Sequence, residues 1–171
     1  VQYILGKFVE PKIIPKLDFG MGIPKEYSTF VVIPTILNNP QKVEELVKKL
    51  EVYYLANKTE NLYFALLGDC TPSNQQVEEK DEKIIKAGIK QIDKLNEKYK
   101  DNNFPKFHFL YRERIWNEGE AYYLGWERKR GILNQFNDFI KTGDNGNFKV
   151  NTINQAKENI MKKFLSILLS V

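Results

Sequence analysis

An α/β sandwich around a mostly parallel sheet is the fold this sequence predicts, and three observations carry that expectation. Three short apolar runs, at residues 29–36, 61–67 and 106–111, are each bounded by glycine, proline or polar positions. Two segments of helical period separate them, and a third, from about 127 to 140, follows. Buried strands alternating with long helices are the pattern of right-handed βαβ units, whose sheet is covered on both faces.

Each element has its own justification. Residues 1–27 hold three prolines (Pro11, Pro15, Pro24) with Gly6, Gly20 and Gly22, which reads as an irregular lead-in. An α/β domain is expected over 28–150. Its first run, Thr29 to Ile36, is continuously apolar and β-branched, as suits a strand buried on both faces, and Pro34 is expected to end it. Asn39-Pro40 supplies an N-cap and a first-turn proline, after which Val43, Leu46, Val47, Leu50 and Tyr54 recur at helical spacing. A second strand is expected from Asn61 through Leu67, stopping at Gly68-Asp69. Residues 77–100 are dense in Lys and Glu, but Ile85, Ile89, Ile92, Leu95 and Tyr99 form one stripe, so the charges are the wet face of a long helix. Lys106 to Tyr111 is the third strand. A polar and aromatic loop to about Tyr123 and a helix from about Glu127 to Ile140 follow, with a turn at Gly143 to Gly146. Residues 151–171 form a terminal apolar segment, expected to be where a longer domain is cut. Within it Ile160, Met161, Phe164, Leu165, Leu168 and Leu169 fit a helical stripe as well as a strand.

Composition narrows the function classes. The chain has 171 residues, 42% hydrophobic and 28% charged, too apolar for a disordered tail and too charged for a membrane bundle. No run approaches the roughly 18 apolar residues of a membrane span, and the first residues lack the layout of a secretory signal, so a cytoplasmic setting is expected. A single cysteine, Cys70, excludes an internal disulfide or a multi-cysteine metal site. A single histidine, His108, argues against a Ser-His-Asp triad, and both residues read as structural. The net charge of +4 favours phosphate-bearing ligands but falls short of a nucleic-acid footprint, so no nucleic-acid partner is expected.

In parallel sheets ligands bind outside the C-terminal strand ends, here Pro34-Thr35, Gly68-Asp69 and the residues after Tyr111. The densest basic cluster, Arg128-Lys129-Arg130-Gly131, opens a helix and is preceded by Arg112 and Arg114. Such a helix start suits a diphosphate. The same arginines would also serve as a surface network with Glu113, Glu118, Glu120 and Glu127. Trp116 and Trp126 read first as packing residues and second as a sugar platform.

Several segments occur in a telling order over about residues 17–140: Leu17-Asp18-Phe19 with Gly22-Ile23-Pro24, Val31-Val32-Ile33-Pro34-Thr35, Glu51 through Asn57, and Phe64 through Asp69. Arg112-Glu113-Arg114-Ile115-Trp116-Asn117-Glu118-Gly119-Glu120 and Gly125-Trp126-Glu127-Arg128-Lys129-Arg130-Gly131 complete the set. Together they resemble the glycosyltransferase domain of cyclic β-1,2-glucan synthases, glycosyltransferase family 84. The resemblance implies the nucleotide-binding half of a GT-A-like fold, a UDP-glucose donor, a β-glucan acceptor and inverting transfer. It also implies that Thr35 approaches the uridine and that Asp69 accepts a hydrogen bond from uracil or ribose. Lys129, Gly131, Leu133 and Asn134 resemble a Lys-x-Gly-x-Leu-Asn signature whose lysine approaches the diphosphate, with Arg130 beside it.

One departure limits that picture. Such enzymes hold Mg²⁺ or Mn²⁺ with Asp-x-Asp, and no Asp-x-Asp occurs in these 171 residues. Metal ligands and catalytic residues are therefore not expected in this chain, which should bind nucleotide weakly and not turn over. A small nucleotide- or RNA-binding module and a silent fragment that dimerises through uncovered edges are the other readings, and membrane association of the parent protein stays open.

Overall fold

The computed structural model describes residues 20, 22–100 and 104–156. Strands β1 (Thr29–Ile36), β2 (Leu62–Asp69) and β3 (Phe107–Arg112) lie side by side in parallel, in chain order. Helix α1 (Pro40–Ala56) joins the first two and α2 (Glu79–Lys98) joins the second to the third. Because both crossovers advance in the same direction, the two helices share one face of the sheet and pack against each other. Helix α3 (Arg128–Thr142) covers the other face, so the three-layer expectation holds at the level of a mixed α/β fold with a mostly parallel sheet.

Strand alternation explains the two cores. In β2, Phe64 and Leu66 point into the cluster with Val43, Leu50, Ile84 and Ile92, whereas Ala65 and Leu67 point into the cluster with Ile132, Phe136 and Phe139. An unbroken apolar run is what a strand with two covered faces requires. His108 is buried among the rings of Phe30 and Phe104, its Nε2 2.8 Å from the Pro105 carbonyl. That is a structural position, as expected.

Four features differ from the expectations. Among the described residues strand β1 stands at the edge of the sheet, half-buried between its exposed ends, and it runs two residues past Pro34. A proline is tolerated there because an edge strand has one side with no ladder bond to lose. Beyond β3 the sheet gains β6 (Phe148–Asn151), paired antiparallel with Tyr111 opposite Val150. The region read as a loop contains a hairpin of β4 (Ile115–Asn117) and β5 (Tyr122–Leu124). Both additions are three or four residues long, too short for alternation to stand out in sequence. Along α2 the most buried positions are Ile84, Gly88, Ile92 and Leu95, with Ile85, Ile89 and Tyr99 packed at the margin. Residues 160–169, where helix and strand were both open, lie outside the described residues.

Candidate functional site

The C-terminal ends of β1, β2 and β3 form one rim. Thr35 sits opposite Gly68 and Ile36 opposite Asp69, while Arg112 closes β3. Thr35 is half-buried. Asp69 is 3% exposed and Arg112 1%. The guanidinium is bidentate on the carboxylate, with Nε 2.9 Å from Oδ1 and Nη2 2.7 Å from Oδ2. The Cys70 backbone N–H donates to Oδ1 as well, at 2.9 Å.

Gly125 seals this pair from above. A Cβ on it would stand 2.2 Å from Asp69 Oδ1 and 2.5 Å from Arg112 Nη2, so no other residue fits without displacement. Paired with Arg112 and covered by Gly125, Asp69 has the geometry of a support for the rim, not of a group open to a base or a ribose. The resemblance named the residue without revealing this, because the partner that fills it comes from another strand.

The start of α3 is tied to the same pair. Arg112 Nη2 also donates to the Arg128 carbonyl at 2.9 Å, and Nη1 donates to Gln135 Oε1 at 3.3 Å. Glu127 and Arg128 both take left-handed backbone, with φ of 48° and 47°. Non-glycine residues there cost about 1–3 kcal/mol each and persist only where the surroundings fix them. Gly131 is obligatory, since its Cβ would lie 1.9 Å from the Trp126 carbonyl oxygen.

Three cations, Arg128, Lys129 and Arg130, occupy the first turn with no acid and no side-chain cap. Arg130 forks onto Glu127, with Nε 2.7 Å from Oε2 and Nη2 on Oε1. Lys129 is exposed and pairs with nothing among the described residues, and Asn134 is exposed one turn further on. Thus Asp69, Arg112 and the α3 start are brought together, Thr35 lies beside them on the neighbouring strand, and Arg130 is partly spent on Glu127. Trp116 and Trp126 are 51% and 47% exposed, and Trp116 packs edge-on against Tyr123 with ring centroids 5.1 Å apart.

A second buried arginine lies next to this rim. Arg114 Nε donates to the Thr71 carbonyl at 2.6 Å, Nη2 to Asp81 Oδ1 at 2.9 Å, and Nη1 to Asp81 Oδ2. The Tyr111 hydroxyl donates to Asp81 Oδ1 at 3.1 Å. Burial by itself would raise the Asp81 carboxyl, but the hydrogen bonds from Arg114 and the Glu78–Asp81 backbone cap hold it below its ordinary range. Burial and the Asp69 charge push the Cys70 thiol up to about 12, so it carries no thiolate at neutral pH. The depression between Gln76, Tyr111, Glu113 and Lys149 has a cavity volume of about 10 Å³, room for a single water and far below the range of about 300–1,000 Å³ typical of ligand pockets.

Among the described residues no three His, Cys, Asp or Glu side chains converge to hold a metal ion. No helix among them is long and apolar enough to cross a membrane.

No protein-family model matches the chain. Over 153 residues it is 34% identical to the cyclic β-(1,2)-glucan synthase NdvB of Rhizobium meliloti (strain 1021), an alignment that covers 90% of this chain and 5% of that protein. The chain is therefore similar, nearly end to end, to a segment spanning about a twentieth of a much longer glucan synthase.

Proposed function

We propose that this chain is the donor-nucleotide-handling portion of a glucan-synthesising glycosyltransferase. The observation that carries the reading is the similarity to a glucan synthase along 90% of the chain. The start of α3 supports it, because three cations with no acid among them stand in its first turn, where the helix dipole also favours an anion such as a diphosphate. In this reading Lys129 and Arg130 meet the diphosphate of UDP-glucose, Thr35 and Asn134 border the nucleoside, and Asp69 acts beneath them. An acceptor hydroxyl of a β-1,2-glucan attacks the anomeric carbon as the bond to UDP breaks, UDP leaves with the electron pair, and the configuration inverts. The base that takes the hydroxyl proton and the ligands of the expected Mg²⁺ or Mn²⁺ come from sequence other than the described residues, so no step is assigned to either.

Calorimetric titration with UDP, uridine and pyrophosphate, with and without Mg²⁺, tests the reading. Weak binding of UDP and pyrophosphate that exceeds uridine and does not need metal is the expected result. A tight, strictly metal-dependent signal contradicts it, and tighter, steeply salt-dependent binding of an oligouridylate would favour a nucleic-acid module instead.

A further inference from the structure

We infer that Arg112, neutralised by Asp69, is the positioning residue that sets the start of α3 and thereby the reach of Lys129 toward a diphosphate; the ligand part of this inference rests on the function proposed above. Arg112 spends one guanidinium on three partners in two elements: Asp69 at the end of β2, the Arg128 carbonyl at the first residue of α3, and Gln135 two turns along that helix. The Arg128 carbonyl belongs to one of the two left-handed residues, so the bond to Arg112 acts at the strained point itself. A bare guanidinium beneath a helix N-terminus would oppose the helix dipole, and the bidentate carboxylate cancels that charge. The cations that remain uncancelled among the described residues are then those at the surface, Arg128 and Lys129, because Arg130 is forked onto Glu127. Gly125 and Gly131 complete the device by letting the turn close down on the pair from both sides. Neither Arg112 nor Asp69 needs to touch a ligand for this to operate, which agrees with their near-complete burial.

The test compares Arg112→Lys with Arg114→Lys, since both replace a buried, carboxylate-paired arginine and only the first borders α3. Lysine keeps a charge near Asp69 but cannot span the carboxylate and the Arg128 carbonyl together. Amide chemical shifts of residues 126–131, recorded without ligand, should move in Arg112→Lys and stay in place in Arg114→Lys. Pyrophosphate affinity should fall about fivefold or more in Arg112→Lys, the equivalent of one lost hydrogen bond, and should hold within twofold in Arg114→Lys. Gln135→Ala, on the half-buried side of α3, gives a milder probe should Arg112→Lys not fold, and is expected to shift the same amides. Unmoved amides in a folded Arg112→Lys, or in Gln135→Ala where that variant stands in, overturn the inference, as does an equal affinity loss in Arg114→Lys. A wild-type chain that binds neither UDP nor pyrophosphate overturns the proposed function, while the ligand-free shifts still decide the positioning role.

Discussion

Helices α2 and α3 begin at the same edge of the sheet, each beside a buried arginine, yet their first turns are built oppositely. Glu78 caps α2, bonding the Asp81 backbone while the Asp81 side chain returns to the Glu78 backbone, and Glu79, Asp81 and Glu82 place negative charge where the helix dipole favours it. Arg114 and Tyr111 then close over Asp81. The Asp81 carboxylate, the Arg114 guanidinium and the Tyr111 hydroxyl are there spent on one another, away from any ligand. At α3 the cap makes no side-chain bond, two residues are left-handed, and the first turn carries cations that the dipole opposes. A protein that tolerates such a start forgoes stability where the α2 start gains it. The difference teaches that buried arginines serve both helices, but only the α3 start keeps unspent charge at the surface.

The contrast breaks most visibly at its stable end. Asp81→Ala should cost about 3–5 kcal/mol in denaturant unfolding, because it strands the buried Arg114 charge. The adjacent loss of the capping box adds to this in the same measurement. Gly131→Ala should cost about 1–3 kcal/mol by thermal unfolding, since its new methyl group meets the Trp126 carbonyl, and should weaken pyrophosphate binding by tilting the helix start.

Titration sharpens the same comparison. Asp81 is held below its ordinary range, so the unfolded chain takes up that proton first as pH falls. Its contribution is complete above about pH 4 and is lost as pH drops through the lower folded value, visible as an acid-side fall in the urea midpoint that Asp81→Asn removes. Cys70 acts with the opposite sign. The unfolded thiol ionises near 9 while the folded one holds its proton to about 12, so stability falls as pH rises through that window. Native Cys70 should accordingly resist alkylation at pH 8 and react on unfolding, as mass spectrometry would read.

The smallest structural effect carries the functional contrast. Lys129→Glu should stabilise α3 by about 0.3–1 kcal/mol, since an acid replaces a cation at the helix start. It should also abolish measurable pyrophosphate binding in the calorimeter. A variant that binds as well as wild type would show that the exposed lysine has no part in holding phosphate.

Much of this was legible in the chain and some of it was not. Thr29–Ile36, Asn61–Leu67 and Lys106–Tyr111 announced three strands because apolar runs with polar stops are local signals. The stripes on α1 and α2 were equally local. Hairpin β4–β5 was not legible, because its place is fixed by Ser73, which exchanges bonds of 2.9 and 2.8 Å with Tyr123 from fifty residues away. At the rim the sequence named Asp69, Lys129 and Arg130 through resemblance and offered Glu127 among four acids for the basic cluster, but gave no sign that Asp69 is buried under Gly125 or which of those acids Arg130 takes. The signal that would have found the first was the pair of glycines flanking the basic turn, each placed where a backbone must pass close to something.

The sequence by itself determined the alternation of strands and helices, the two-sided burial of β2 and β3, the absence of a disulfide within these 171 residues and the concentration of cations at 128–130. Periodicity and composition are properties of neighbouring residues, so they survive without a fold. Tertiary structure alone decided that β1 is an edge, that β6 pairs antiparallel with β3, and that Asp69 answers to Arg112 at a separation of 43 residues. A charge buried in the protein interior must be matched by whichever charge the topology brings within about 3 Å, and no local pattern records that choice.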